Sequence, residues 1–220
     1  MQTFKTSKAR ENILRKIRTQ LGGNGLPMPF PEVEKNNEPL YVAEGVDVEE
    51  MFATAFIALG GKFIFCDNEQ DFMDKVNQLY ENRGWQQLLC AEPRLLKLFH
   101  NNKIDMVAPA NPPVEQAEAC ITGCEALVAR TGSILVSSAQ NMGRTAPVYY
   151  PVHIVCAYAN QIVPDIEDGF NLLKKRYGKE LPSMINLTTG PSRTADIEKT
   201  LVVGVHGPGE VFCFLINADL

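Results

Sequence analysis

Apolar residues recur along most of the chain at helical or strand spacing, and that spacing predicts where elements fall. Ile13, Leu14, Ile17 and Leu21 share one face of an amphipathic helix over 5–21, with Lys and Arg on the other. Gly22, Gly23, Gly25, Pro27, Pro29, Pro31 and Pro39 then break all periodicity, so 22–40 reads as an extended linker. The helix can pack on its own domain or serve as an arm for a partner subunit, and pattern alone leaves both open. Regular structure resumes near Tyr41. Asp47 caps a helix with the stripe Met51, Phe52, Ala55, Phe56 and Leu59, closed by Gly60 and Gly61. A strand over 62–66 follows. Asn68 caps a second helix with Phe72, Val76, Leu79 and Tyr80 inward, and Gly84 lies beyond its end. A strand over 85–91, a short helix from Pro93 and a strand over 104–108 continue the alternation. Strands alternating with helices predict a parallel, doubly wound sheet.

The pattern changes after the Pro-rich loop 109–113. Residues 114–119 read as a helical turn. Apolar runs over 121–129 and 133–138 flank the tight turn Arg130-Thr131-Gly132, and a polar loop fills 138–150. A strand over 151–158 carries His153. Asp165 starts a helix with Ile166, Phe170 and Leu173 inward, ending at Gly178 with Lys174, Lys175 and Arg176 in its last turns. A short strand, 184–187, stops at Thr188-Thr189-Gly190-Pro191. Residues 200–205 read as a buried strand, and His206-Gly207-Pro208-Gly209 turns the chain into a last strand over 211–216. The expectation is a mixed sheet in one domain, 41–220, behind an arm, 1–40.

Composition narrows the class. The chain has 220 residues, 45% of them hydrophobic, enough for a sizeable core. Net charge is −5 with no basic stripe, which argues against nucleic acid as a partner. No apolar run is long enough to span a bilayer, and 1–21 lacks a signal-peptide core, so the chain reads as cytoplasmic. Cys66, Cys90, Cys156 and Cys213 lie inside apolar, strand-like runs. Cys120 and Cys124 form the one close pair, without a second pair or a nearby His, so no metal or iron–sulfur site is expected from this chain alone.

Candidate chemistry gathers in four loops: Thr131-Gly132-Ser133, Gly143-Arg144, Gly190 to Asp196, and His206-Gly207. Glycines admit close backbone approach, and the hydroxyls of Ser192 and Thr194 donate to anions. Arg144 and Arg193 offer guanidinium forks for a carboxylate or phosphate. Asp196 can hold Arg193 in place. A helix starting near Ser192 would add free backbone N–H groups. The same residue types also build ordinary turns, and both readings stand. His206 is either an acid/base group or a turn histidine bonding the backbone. His153 reads as a core or edge histidine. Glu125, inside an apolar run, is either on the solvent face of a strand or a buried functional acid, and the pattern favours the first.

Several of these stretches together resemble the LUD-domain (lactate utilisation) family. They are Ile121-Thr122-Gly123, Val128-Ala129-Arg130-Thr131-Gly132-Ser133, Gly143-Arg144, Pro151-Val152-His153-Ile154-Val155 and Gln161-Ile162-Val163-Pro164. Gly190-Pro191-Ser192-Arg193-Thr194-Ala195-Asp196-Ile197-Glu198 and Gly204-Val205-His206-Gly207-Pro208 complete the set. The resemblance implies a three-layer α/β/α fold with a mixed, largely parallel sheet, like the sugar-phosphate isomerase and CoA-transferase superfold. It implies a cytoplasmic subunit of a complex that oxidises L-lactate to pyruvate beside iron–sulfur partner subunits. A longer sister subunit of the family carries a Cys-rich, ferredoxin-like segment that this sequence lacks. This chain is therefore expected to hold no cofactor of its own. His206 and Arg193 are the expected catalytic residues. Thr131, Gly132, Ser133, Gly143, Arg144, Gly190, Ser192, Thr194, Asp196 and Gly207 are the expected contacts to a small carboxylate or phosphate. Members often carry an acidic residue before the Thr-Gly turn, where this chain has Arg130, so a CoA-transferase nucleophile is not carried over to that position. The alternatives are a stand-alone enzyme acting on a phosphorylated or CoA-linked substrate, and a non-catalytic assembly subunit.

Overall fold

Short polar side chains fix where the helices begin. Asp47 accepts from the Glu49 N–H at 2.9 Å and opens α2 (Val48–Ala58), which follows α1 (Lys8–Gln20). Asn68 accepts from the Asp71 N–H at 3.0 Å at the start of α3 (Glu69–Arg83), and Gly84 closes it in the left-handed conformation. Pro93 fills the first turn of α4 (Pro93–Asn101), where its missing N–H costs nothing. A single short turn forms α5 (Ala146–Tyr149). Asp165 and Asp168 make a reciprocal cap on α6 (Ile166–Tyr177).

This computed structural model describes residues 8–21, 45, 47–102, 107–109, 117–194 and 202–218. The chain divides into two units, Met1–Val42 and Ala43–Leu220. In the first, α1 exposes Ile13 and Ile17. The linker expected over 22–40 lies outside the described residues.

In the second unit the first strands are β1 (Lys62–Cys66), β2 (Leu88–Cys90), β3 (Val107–Pro109), β4 (Ala119–Thr122), β5 (Ala126–Val128) and β6 (Ser133–Ser137). Then come β7 (Val152–Tyr158), β8 (Ile162–Val163), β9 (Ile185–Thr188), β10 (Arg193–Thr194), β11 (Val202–Val203) and β12 (Glu210–Ile216). Six of them form a parallel sheet in the order β1-β12-β7-β4-β2-β3. Four form a smaller mixed sheet, β8-β5-β6-β9, with β5–β6 and β6–β9 antiparallel. The α/β class with helix-flanked parallel pairing thus holds, and the antiparallel pairing lies outside the large sheet, in the small sheet and in the β10–β11 pair.

Both faces of the parallel sheet are covered, as all-parallel sheets require. On one face Phe72, Met73 and Val76 of α3 and Leu95 and Phe99 of α4 pack on Ile121, Ile154 and Phe214. On the other, Phe52 and Phe56 of α2 join Leu127, Ile134 and Val136 of the small sheet against Val155, Ala157, Cys213 and Leu215. Helix α6 covers the far side of the small sheet, with Leu173 against Val128 and Leu135. Each of these buried Phe or Leu side chains contributes roughly 1.5–3 kcal/mol of transfer free energy.

Four expectations are corrected. The run 121–129 is two strands in two sheets: β4 ends at Thr122, and Gly123-Cys124-Glu125 carries the chain across to β5. Ala119, expected at the end of a helical turn, opens β4 instead. The buried strand expected over 200–205 is not found in its described part: among the described residues β11 pairs only with β10, and Val203 and Val205 are 51% and 41% exposed. Phe170, expected inward, is 40% exposed, because the buried stripe of α6 runs through Gly169 and Leu173.

Candidate functional site

In the parallel sheet β2 and β4 end beside each other while β7 continues past them to Tyr158, and open parallel sheets bind ligands beyond such C-terminal ends. A cavity of about 230 Å³ lies there. Its wall is built from the second residue after β2 (Glu92), the β4–β5 link (Gly123, Cys124, Glu125), the end of β7 (Tyr158), the end of α6 (Arg176, Tyr177), and Arg94 and Gln140. A second hollow of about 220 Å³ shares Glu92, Arg94 and Gln140 with it.

The two carboxylates of this pocket are in opposite circumstances. Glu125 is 1% exposed, yet both its oxygens are engaged. Ser137 Oγ donates to Oε1 at 2.6 Å, Tyr177 Oη donates to the same oxygen at 2.7 Å, and Arg176 Nη1 pairs with Oε2. The expectation of a solvent-facing Glu125 is therefore wrong: a carboxylate can sit in an apolar run when three donors from β6 and α6 meet it. Among the described residues Glu92 has no such cation. Its Oε1 accepts from the Gly123 N–H at 2.8 Å, and burial pushes its pKa up from the ordinary carboxylate value, with the charge of Glu125 adding to the rise. Gly123 lets this carboxyl lie close, because a Cβ would stand 2.9 Å from Glu92 Oε2 and push the side chain aside.

The cations complete the picture. Arg94 lies over the Tyr158 ring, 4.4 Å from its centroid, and faces Glu69 at 3.5 Å. Tyr158 Oη donates to Glu69 Oε1 at 2.6 Å. Gln161 fixes the floor, donating to the Cys124 carbonyl at 2.7 Å and accepting from the Tyr158 N–H at 2.9 Å. The site thus offers two guanidinium groups, one ionic carboxylate and one carboxyl shifted toward its neutral form. Those groups suit a small organic anion that also carries a neutral oxygen.

Across the LUD domain a match covers residues 49–216. The chain belongs to the LUD-domain family. Lactate utilization protein C of Bacillus velezensis is 37% identical over 105 residues, covering 47% of this chain and 44% of that protein. The protein of the same description from Bacillus subtilis is 35% identical over 105 residues, with the same coverage. The chain therefore spans less than half the length of these curated relatives. An uncharacterized protein of Neisseria meningitidis is 26% identical over 230 residues, covering 96% of this chain and 94% of that one. The crystal structure of a DUF162 family protein from Deinococcus radiodurans superposes with a TM-score of 0.58 over 81% of this chain and 100% of its own, at 19% identity, which is a likeness of fold.

In this LUD domain the motif residues read from the sequence collect elsewhere. Gly132 backs onto α2, where a Cβ would lie 2.5 Å from the Phe56 nitrogen, and Gly190 packs on the Leu59 carbonyl. Ser133 Oγ bonds Thr131 Oγ1 at 2.7 Å and Thr189 Oγ1 at 2.8 Å. Arg193 Nη2 donates to the Leu59 carbonyl at 2.5 Å. The Ser192 N–H donates to the Pro208 carbonyl at 2.9 Å, and Gly207 packs against Ser192. No helix starts at Ser192, because Arg193 and Thr194 form β10. His206 is exposed in the loop that leads into β12, at the N-terminal edge of the parallel sheet. Gly143 and Arg144 stand apart from this group: Gly143 packs on the Ser137 carbonyl, and Arg144 reaches Ser183. Asp196 lies outside the described residues.

Glu92, Arg94, Glu125 and Arg176 were not singled out as a site by sequence reasoning. One signal was available: Glu92 lies two residues beyond a buried parallel strand and directly precedes a helix-starting proline. The other three are joined only by the crossing of the chain from one sheet to the other.

His153 belongs to the core behind the pocket. Thr122 Oγ1 donates to the Gly123 carbonyl at 2.9 Å and meets His153 Nε2 at 2.8 Å, which puts the ring proton on Nε2. Nδ1 is buried without a partner among the described residues, and burial lowers the pKa from 6.5 to about 4.

Proposed function

We propose that this LUD domain takes part in lactate utilisation and that the pocket beside Glu92 receives the small carboxylate. The observation that carries the reading is the meeting of Arg94 and Arg176 with Glu92 in one cavity of about 230 Å³ at the ends of parallel strands. A guanidinium takes a carboxylate through parallel N–H bonds, and the cavity has room for an acid of a few carbons. The relatives called Lactate utilization protein C support the process; the charge and size of the pocket support the ligand.

In this reading the chain is a cytoplasmic subunit that works beside iron–sulfur partner subunits, which carry the electrons. Its own cysteines suit packing better than cluster ligation, since burial pushes all six thiols up and keeps them protonated. Within the pocket, Arg94 and Arg176 hold the anion, Glu92 faces its neutral oxygen, and Tyr158 and Gln161 keep the walls in place.

A second reading is favoured by the same Glu92 carboxyl, which a nucleophilic role would also use: an enzyme acting alone on a CoA-linked or phosphorylated substrate. Co-purification of the tagged chain with the products of neighbouring genes, followed by a lactate-dependent dye-reduction assay with and without the chain, separates the two. The first reading expects dye reduction that needs this chain and falls at least tenfold with Arg94→Ala. Full dye reduction without the chain removes it from lactate oxidation. Turnover of a CoA thioester by the chain alone selects the second reading.

A further inference from the structure

We propose that Glu92 takes up a proton when a small anion binds in this pocket, and donates it in a hydrogen bond to the anion's neutral oxygen. The inference rests on reading the cavity as a carboxylate site and names the ligand class more narrowly: a 2-hydroxy or 2-oxo carboxylate, with its charged end on arginine and its C2 oxygen on Glu92. No covalent bond is made or broken, and the proton comes from solvent.

The argument is geometric. Glu92 Oε1 is already committed to the Gly123 N–H, and among the described residues no hydrogen bond reaches Oε2. Oε2 is therefore the oxygen left for a ligand. Among the described residues no cation pairs with Glu92, whereas Glu125 keeps three donors on its two oxygens. A bound anion adds negative charge beside a carboxylate that already feels Glu125. The cheapest relief is protonation of the carboxyl without a counter-ion.

The thiols, phenols and guanidinium groups around Glu92 do not compete for that proton. On its own segment Cys90 and, beyond Pro93, Arg94 flank it; the β4–β5 link brings Cys124 and Glu125, β7 brings Cys156 and Tyr158, and α6 brings Arg176 and Tyr177. Burial pushes the thiols of Cys90, Cys124 and Cys156 and the phenols of Tyr158 and Tyr177 upward, so they are protonated at neutral pH in both states. The arginines are charged in both states. Burial likewise raises Glu92, in the direction the proposal needs.

The test is calorimetric titration of the full chain with sodium pyruvate, sodium L-lactate and sodium phosphate. Each is run between about pH 6 and pH 8 in two buffers of different ionisation enthalpy. The expected result is uptake approaching one proton per bound carboxylate on the alkaline side, with affinity falling up to about tenfold per pH unit there. Glu92→Gln keeps the shape and supplies a permanent donor, so it should bind without uptake and equally at both ends of the range. Binding of either carboxylate by the native chain without proton uptake overturns the proposal, and that readout does not depend on the variant folding. Uptake that persists in Glu92→Gln overturns it as well. If neither carboxylate binds at any pH, the carboxylate pocket itself is refuted and this inference falls with it. Binding of phosphate alone overturns the ligand class.

Discussion

Lowering the pH from about 7 to about 4 forces a proton onto an imidazole that has no place for it. His153 is buried at the centre of the parallel sheet, with Nε2 bonded to Thr122 and Nδ1 bare. Protonation at Nδ1 would bury a charged N–H without an acceptor. Its folded pKa of about 4 lies below the ordinary 6.5, so between those values the unfolded chain binds the extra proton. The stability contributed by neutral His153 is therefore complete above about pH 6.5 and is lost as pH falls toward about 4. The difference, 6.5 − 4 = 2.5 units, corresponds to about 3 kcal/mol. Urea unfolding of the native chain and of His153→Leu at a series of pH values measures it. Leucine fills similar space without titrating, and Thr122 retains its bond to the Gly123 carbonyl. Asp71, Asp165 and Glu210, which Lys75, Arg130 and Arg83 hold below the usual carboxylate range, also lose their contributions in acid. They do so equally in both proteins and cancel in the difference. The native chain should lose about 3 kcal/mol more than the variant across the interval. Parallel stability curves would show that His153 accepts its proton freely, and would refute the account of this core.

Three further outcomes are expected. Gly132→Ala places a methyl 2.5 Å from the Phe56 nitrogen and 2.6 Å from the Ala55 carbonyl carbon, at a φ of +58°, and should lower the thermal midpoint by on the order of 10 °C. An unchanged midpoint would mean that the turn is not seated on α2. Arg193→Ala loses the bond to the Leu59 carbonyl and should cost about 1 kcal/mol in urea titration while leaving carboxylate binding intact; weaker binding at unchanged stability would return the ligand role to Arg193. Arg176→Leu leaves Glu125 buried without its cation and should cost roughly 3 kcal/mol, because the guanidinium itself is partly exposed and the pair is only half shielded; equal stability of variant and native chain would show that the two hydroxyl donors suffice.

The fold was legible wherever a local pattern decides. Caps at Asp47, Asn68 and Asp165 and the strand over 62–66 follow from side chains within a few residues of one another. The site was less so. The motif loops carry the chemistry that turns and ligands share, and the structure uses much of it for joints: Ser133 with Thr189, Arg193 with Leu59, Ser192 with Pro208. Glu125 could not be placed from periodicity, because its burial depends on donors from β6 and α6, one of them 12 and the other 51 residues away. The break at Gly123 was hidden for a related reason: both sides of it are apolar, and only tertiary packing assigns them to different sheets.

The position of β12 sets a timetable for synthesis. It lies between β1 and β7, pairing Cys66 with Ile216 and Tyr158 with the same residue. Among the described residues β1 has no other strand neighbour. From translation of Cys66 to that of Ile216 is 216 − 66 = 150 residues, on the order of 15 s at ~10 residues per second. Through that interval β1, and from the completion of β7 at Tyr158 the near edge of β7 as well, present open backbone and apolar faces to whatever else is in the cell. The nascent chain is thus a client for holding factors by its strand order alone. Mutations that slow the docking of β12 should first appear as insoluble product, before they register in the activity or melting temperature of the molecules that do complete the sheet.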